Sequence, residues 1–452
     1  MRSIFEKINT QHENSFWKKS ENSNDLELEK IIYQGKLTEL KSSGKLKEKF
    51  FSLSSKYLFS AKSENSKPDK QATIRFRTID PFVEETKNSI NYGFQILWNH
   101  HTKYFYTNSS HELDNWLDSL AAVGIMTKVE DDYEILKILG SGSYATVYLS
   151  RDLCTNKEFA IKAIDKSLIK GKNIYFGMIN EIEILRNLDH PNIIKLHRVY
   201  ESDTHIYLVL DYIKGGNLLS RLHARGPISE KQSKKFMEKL LGLLNYLEER
   251  DIVHRDIKLE NILLTSDTKI SDFKLIDFGF SEILQDKSTA YCGTPGYMAP
   301  EILKNIPYGL KVDIFSAGII LYMILSNQAP FCGDSENEMI ESNKQGSIVF
   351  DSKHFMMISP DSIRVIMEMT NSDPSSRPSA KELLRLRWFT KEKLSQKFKR
   401  IHIHEIHSEL SNVYRRHANI GYTEDSYGKE RNELIDSNLI FFAENYHQRI
   451  KF

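Results

Sequence analysis

Cysteine is scarce: three residues in 452, Cys154, Cys292 and Cys332, with no CxxC pair. That excludes a disulfide framework, removes the commonest zinc signature and suits a reducing compartment. Glycine and proline are also sparse, 21 and 11, about 7% together, against a usual share of about 12%. Collagen and Gly/Pro-rich low-complexity sequence are thereby excluded. No sign of charge dominates: 62 Lys and Arg face 61 Asp and Glu, for a net charge of +1. A general nucleic-acid coat or a polybasic membrane binder would need an excess of one sign. Long apolar runs are missing too. The longest, Ala317 to Leu325, has nine residues including one glycine, and a membrane span needs about 20. The start, MRSIFEKINTQHENSFWKK, has no apolar stretch of the secretory type, and Arg2 stands where myristoylation needs glycine. The expectation is a cytoplasmic protein that is not transmembrane and has no nucleic-acid partner, with peripheral membrane attachment left open. At roughly 150 residues per domain, the length suggests two or three domains.

Residues 1–28 are polar, rich in Asn, Ser, Glu and Lys, and read as a disordered N-terminal segment. From 29 to 107 apolar and polar residues alternate, at Phe51 and Leu53, Tyr57 and Phe59, Ile74 and Phe76, Phe94 and Ile96, as in short strands. Ser109 with Glu112 reads as a capping box. Leu113, Trp116, Leu117 and Leu120 then line one face of a helix. About seven strands and one closing helix make a small barrel or bent sandwich. The string GKLTEL…KLKEKFFSL, with its Gly35-x-Leu37 and Phe51-x-Leu53, followed by a helix carrying the single Trp116, resembles a pleckstrin-homology domain over roughly 29–125.

A short linker, 126–132, leads to a change of pattern. Strand-like runs at 135–138, 146–149 and 159–163 give way to helical periods. Ser229 with Gln232 reads as the cap of a long helix whose Phe236, Leu240, Leu243, Leu244 and Leu247 face inward. Residues 314–325 are apolar nearly all round, as in a buried helix. Strands first and helices later suit two lobes of different class.

Gly140, Ser141, Gly142, Ser143, Tyr144, Ala145, Thr146 and Val147 form a GxGxx(A)xV loop. Glycines let backbone approach phosphates, and the exposed amides then bind oxygens. In a dinucleotide fold such a loop opens a helix; here Val147-Tyr148-Leu149 continues as strand, which fits a hairpin over a nucleotide. Fifteen residues past Val147 comes Lys162 in Phe159-Ala160-Ile161-Lys162, and nineteen further is Glu181. Then follow His254-Arg255-Asp256-Ile257-Lys258-Leu259-Glu260-Asn261, Asp277-Phe278-Gly279 and Ala299-Pro300-Glu301. In this order the pieces resemble the protein-kinase signature set over 133–389, with a tail at 390–452. The fold expected is multidomain α+β: a pleckstrin-homology-type β-barrel with a C-terminal helix, then the bilobal protein kinase fold, β-rich small lobe and α-helical large lobe.

The resemblance implies ATP and Mg²⁺ as cofactors and proteins as substrates. Lys162 would hold the α- and β-phosphates, steadied by Glu181. Asp277 and Asn261 would be the metal ligands, oxygen donors suited to Mg²⁺. Asp256 would orient or accept the substrate hydroxyl, and Lys258 would neutralise the transferring phosphoryl. Leu139, Val147, Ala160 and Leu263 would sandwich the adenine, with the backbone of Asp211 and Tyr212 beside it. Leu185, Leu196, His254 and Phe278 match the family's apolar column, and Arg377 its partner for Glu301. Lys258 in HRDIKLEN and Thr294 in GTPGYMAPE resemble the serine/threonine type. The order of domains is similar to protein kinase B, whereas CGTPGYMAPE and DPSSRPSAKELLRLRWF look more like the calmodulin-dependent group. A catalytically idle scaffold is the rival reading, and the intact Lys162, Asp256, Asn261 and Asp277 speak against it.

Arg255 in this family commonly binds a phosphate on the activation segment. Its usual acceptor position is Ala290 here, so Ser288 and Thr289 are the candidates, alongside ordering without phosphate. Substrate-selecting carboxylates are thin: Glu260 is present, while Asn217 and Met323 stand where relatives often carry Glu. In the N-terminal region Lys41, Lys45, Lys47 and Lys49 are the lipid-binding candidates. Glu39 has the wrong sign there, so weak, salt-dependent anionic phospholipid binding or a protein partner is expected, with docking on the catalytic lobes restraining activity. In the tail, His402, His404 and His407 invite a metal reading, but without a Cys or second ligand group at suitable spacing a solvated basic tail is expected. Lys391 to Ile403, basic with Leu394, Phe398 and Ile401 interleaved, fits either a calmodulin-type or autoinhibitory helix or an ordinary packed one.

Overall fold

The structure, a computed structural model, describes residues 3–5, 15–19, 30–87, 89–98, 101–142, 144–266 and 268–390. The tail expectations, including His402, His404, His407 and Lys391 to Ile403, lie outside the described residues, as does Ser143. The chain forms two compact units. One holds the described residues up to Tyr175 together with Lys195–Tyr212; the other holds Phe176–Ile194 and the described residues from Ile213 to Thr390.

The first unit is built on one sheet. Its strands are β1 (Lys18–Lys19), β2 (Ile31–Leu40), β3 (Leu46–Ser54), β4 (Tyr57–Ala61), β5 (Lys70–Thr73), β6 (Thr78–Glu85), β7 (Ile90–Trp98) and β8 (His101–Thr107). Helix α1 (Ser110–Ala121) follows, then β9 (Ile125–Met126), helix α2 (Val129–Asp132), β10 (Tyr133–Ser141), β11 (Ala145–Asp152) and β12 (Glu158–Asp165). Helix α3 (Lys172–Asn187) comes next, then β13 (Leu196–Glu201) and β14 (His205–Asp211). The fourteen strands run in the order β1-β5-β4-β3-β2-β8-β7-β6-β9-β13-β14-β12-β11-β10. The alternation read from the sequence is the pleat of β2–β8, which sends Leu37, Phe51, Leu53, Phe94, Ile96 and Phe105 inward around Trp116, all nearly inaccessible. At the start of α1, Ser109 Oγ accepts from Glu112 N at 3.2 Å, while Glu112 reaches one residue further back and accepts from Asn108 N at 3.1 Å.

Two expectations are corrected here. Residues 3–5 and 15–19 fall inside the segment expected to be disordered, yet Phe16 sits in the aromatic core with Trp17 packed against it, and Lys18–Lys19 pair with β5. Phe5 is fully buried and stacks on Phe76 at 5.5 Å between ring centres. Apolar rings inside a polar stretch were the overlooked signal. Residues 126–132 are no loose linker. Met126 pairs in parallel with both Ile79 of β6 and Tyr200 of β13, and Thr127 donates to Asp80 at 2.6 Å.

The second unit is mostly helical. Beyond its share of α3 it contains α4 (Leu218–Arg225), α5 (Glu230–Glu248), β15 (Ile252–Val253), β16 (Ile262–Leu264), β17 (Phe273–Leu275), β18 (Glu282–Ile283), α6 (Pro300–Leu303) and α7 (Val312–Ser326). The chain then continues through α8 (Glu336–Gln345), α9 (Ser352–Phe355), α10 (Pro360–Met369), α11 (Ala380–Leu383) and α12 (Arg387–Thr390). Helix α7 is buried at all but one residue, Met323, and packs against α5 and α10. The capping box expected at Ser229 does not form: the Ser229 hydroxyl donates to Gln232 at 3.1 Å instead of accepting a backbone N–H. Among the described residues no helix is long and apolar enough to cross a membrane.

Candidate active site

In the second unit, the loop between β15 and β16 and the segment after β17 converge. Asp313, at the start of α7, is buried and accepts from His254 N at 2.6 Å and Arg255 N at 2.8 Å. It thus ties down the loop that carries Asp256. Burial pushes the Asp313 carboxyl up to about 7, against the pull of those two N–H groups. Burial also pushes His254 down to about 4. A neutral His254 then packs edge-on against Phe278, 4.7 Å between ring centres.

Asp256 is buried and has three partners. Its Oδ1 accepts from Thr294 Oγ1 at 2.6 Å; its Oδ2 accepts from Asn261 Nδ2 at 2.9 Å and pairs with Lys258 Nζ at 2.8 Å. Lys258 also donates to Thr294 at 2.8 Å. Asn261 Nδ2 bonds the Asp256 carbonyl as well, at 2.9 Å, so its amide oxygen is the atom left to offer a cation. Asp277 has φ +62° and Arg255 φ +67°, left-handed backbone that only Gly adopts without strain. Such strain, about 1–3 kcal/mol each, concentrates where geometry serves chemistry.

Glu181 lies on α3, 3% exposed. A Cβ placed on Gly279 would stand 3.3 Å from Asp277 Oδ1 and 3.7 Å from Glu181 Oε2. The two carboxylates therefore flank Gly279. A Cβ on Gly177 would come within 3.0 Å of the Gly279 carbonyl, so glycine lets α3 approach there. An amide oxygen and a carboxylate, Asn261 and Asp277, are donors of the kind Mg²⁺ takes.

In the first unit, β10 and β11 form an antiparallel hairpin with Gly140 opposite Val147 and Ser141 opposite Thr146. Gly142 N bonds Ala145 O at 2.8 Å. The loop is thus a hairpin, and no helix opens from it. Tyr144 and Leu139 are exposed. Lys162 lies on β12 opposite Val147 and Leu208, and Ala160, buried, opposite Leu149 and Leu210. Asp211 ends β14, its carboxylate bonded to His197 at 2.8 Å, and Tyr212 follows it. In the second unit Leu263, in β16, is half-buried opposite Lys274. Leu185 and Leu196 are buried in their own units.

Three further candidates look different in the structure. Ser288 is 7% exposed and hydrogen-bonded to Glu282 at 3.0 Å, so an accessible phosphate acceptor there is corrected to a buried hydroxyl; Thr289 is exposed. Lys49 is buried, bonded to Ser60 at 2.9 Å and Asp69 at 3.2 Å, and Lys41 is paired with Glu39. Glu39, 1% exposed, also accepts from Trp17 Nε1 at 2.9 Å and lies 3.6 Å from Lys103. Lys45 and Lys47 are exposed. Glu282 was missed, because an isolated charged residue carries no pattern.

The family model described as "Protein kinase domain" matches residues 133–389. The chain belongs to the protein kinase family, on the serine/threonine side. It is 35% identical over 337 residues to "Probable serine/threonine-protein kinase 2" of Plasmodium falciparum, covering 74% of this chain and 63% of that one. This kinase therefore spans somewhat under two thirds of that relative's length. It is 37% identical over 260 residues to human "Calcium/calmodulin-dependent protein kinase type 1B", 57% of this chain and 75% of the other. A "Calcium/calmodulin-dependent protein kinase type 1" of Macrobrachium nipponense is 35% identical over 269 residues, 59% and 77%.

Proposed function

We propose that this kinase transfers the γ-phosphoryl group of ATP, with Mg²⁺, to Ser or Thr hydroxyls of intracellular proteins. The observation that carries the reading is the buried Asp256 network. Asp256 Oδ1 already accepts an O–H, from Thr294 at 2.6 Å, the bond a substrate hydroxyl would make before losing its proton. Lys258, 2.8 Å from the same carboxylate, places a positive charge where the transferring group gathers negative charge. Asn261 and Asp277 would hold Mg²⁺, which supplies further charge neutralisation when bound. By the family resemblance, Lys162 and Glu181 are the candidates for the ATP phosphates, with the Gly140–Val147 loop, and Leu139, Val147, Ala160 and Leu263 for the adenine, with the backbone of Asp211 and Tyr212. The test is transfer of radiolabelled phosphate to a generic basic protein, against an Asp277→Ala control. Tight ATP binding without transfer would favour the idle-scaffold reading.

Substrate selection is expected to favour basic sequence only mildly. Asn217 is engaged as the cap of α4, accepting from Ser220 N at 2.8 Å. Burial pushes the Glu260 carboxyl up, and its partner is Tyr297 at 3.4 Å. A strict Arg requirement on a peptide array would refute this.

For residues 29–125 the reading is a pleckstrin-homology-like module. Seven strands closed by a Trp-bearing helix support it. With Lys41 and Lys49 neutralised by Glu39 and Asp69, Lys45 and Lys47 would carry weak, salt-dependent affinity for anionic lipid. Submicromolar, salt-resistant, headgroup-selective liposome binding would overturn it. The module would also restrain the catalytic domain; equal specific activity with and without residues 1–126 would remove that role.

A further inference from the structure

Arg255 directly precedes the proposed base, and its side chain is 9% exposed. A buried guanidinium must be paired and hydrogen-bonded, or its desolvation destabilises the fold. Here a carboxylate of the chain itself meets it: Glu282 forms the ion pair with Arg255 Nη1. Ser288 Oγ donates to the same Glu282 oxygen at 3.0 Å and accepts from Arg255 Nη1 at 3.2 Å. The Phe280 carbonyl accepts from Nε at 2.5 Å, and Tyr308 OH accepts from Nη1 at 3.4 Å.

The backbone fixes this arrangement. Glu282 lies opposite Val253 in the β15–β18 pair, which sets it beside the loop that Arg255 opens. Further along, Ser288 and Tyr308 exchange two backbone bonds of 2.9 Å, and Tyr308 OH donates to the Ala290 carbonyl at 2.7 Å. Gly293 has φ +115°, and a Cβ there would stand 2.7 Å from the Arg255 carbonyl. One residue on, Thr294 meets Asp256 and Lys258. The activation segment is therefore fastened to the catalytic loop from Glu282 to Thr294. A phosphate on Ser288 would add about two negative charges beside the Glu282 carboxylate. Two anions sharing one guanidinium repel each other.

We propose that Glu282 is the built-in anion of Arg255, a positioning residue that keeps the catalytic loop and activation segment assembled without phosphorylation. Its catalytic consequence rests on the kinase reading above and deepens it. The experiment uses the full chain, treated with a broad phosphatase and checked by mass. Wild-type turnover should stay within about twofold of the untreated protein. Glu282→Gln, which keeps shape and removes charge, should lower kcat roughly tenfold or more, the scale of a lost charge-assisted bond. Its KM for ATP should change less than about threefold, since the ATP contacts are elsewhere. Glu282→Asp should restore part of kcat. Adding Arg255→Gln to Glu282→Gln should cost little more, because the two act as a pair. A second readout needs no catalysis: trypsin should nick after Lys287 faster in Glu282→Gln than in wild type. A phosphatase-induced loss of wild-type turnover of tenfold or more would overturn the proposal. So would a Glu282→Gln variant that matches wild type in both kcat and nicking. Wild type inactive in both states, yet slower to nick than Glu282→Gln, would sink the catalytic reading and leave the anchor standing.

Discussion

A carboxylate with three donors around it is held in one orientation, and Asp256 is in that position. Asp256→Asn keeps the shape and removes the proposed proton acceptor. Turnover should fall roughly 10²-fold or more while ATP affinity stays nearly intact, since the lost group acts in the transition state. Steady-state kinetics beside a nucleotide-binding titration checks this, and near-normal turnover would reassign the base. Cys292 gives a second expectation. Burial pushes its thiol up, against the nearby Arg255 charge that pulls it down. The thiolate is the reactive form, so near neutral pH iodoacetamide should modify exposed Cys154 well before Cys292. The Cys292 rate should climb only as pH passes the ordinary thiol range near about 8.5. Equal rates in peptide mapping would refute it. At this scale the candidate residues stood out in the sequence because phosphoryl transfer demands particular types at particular spacings. Glu282 did not, because a glutamate five residues past Asp277 looks like any surface charge until its partner is seen. Glu39 was read only as a carboxylate of the wrong sign for an external phosphate; its pairing with Lys41 inside the fold was not readable for the same reason.

At the scale of elements, periodicity predicted well wherever burial is one-sided or complete. Helix α7 was readable from an apolar run with almost no polar face, and α1 from its i, i+3, i+4, i+7 stripe. Caps were read less well, since Ser229 chose a side-chain partner over the backbone. Arg377 is fully buried and grips Glu301 of α6 with Nη1 and Nη2, at 2.7 and 3.1 Å. It also donates to the carbonyls of Lys311 and Asn371, at 2.9 and 2.8 Å. The guanidinium therefore ties α6 to the approach to α7 and to the turn after α10. Arg377→Met fills similar space but strands the Glu301 carboxylate in the interior. Breaking a buried pair in this way costs about 3–5 kcal/mol, so the urea midpoint should fall far, with the slope unchanged. A midpoint shift worth less than about 1 kcal/mol would show that water reaches Glu301.

At the scale of the molecule, the order of kinase motifs was plain in the sequence, whereas the seam in the first unit was invisible. Two residues of β9 join β6 to β13 by parallel pairing. So short a ladder, between partners far apart in the chain, leaves no periodicity to read. The seam is more than backbone. Arg198 of β13 pairs with Asp118 of α1 at 2.6 Å and with Asp132 at 3.2 Å. Ile4 N donates to Glu201 at 2.9 Å, and Tyr175 OH donates to the Ile4 carbonyl at 3.0 Å. One apolar core runs from Phe16 and Trp116 through Met126 to Tyr133, Phe159, Ile161, Tyr200 and Val209. The described residues up to Met126 are therefore part of the packing of β10–β14, and cutting them away bares Tyr200, now fully buried, and the edge of β13. Apolar surface returned to water costs about 25 cal/mol per Å², and an open strand edge invites association with other chains. The fragment 127–452 should melt lower than the full chain by roughly 5 °C or more, since each kcal/mol moves a domain of this size by about 2–4 °C. It should also bind an apolar dye and sediment as a heavier species. Arg198→Ala in the full chain should move melting in the same direction by a smaller step. A fragment that melts within about 1 °C of the full chain, silent to the dye and monodisperse, would show that residues 133–212 complete their core without the N-terminal module.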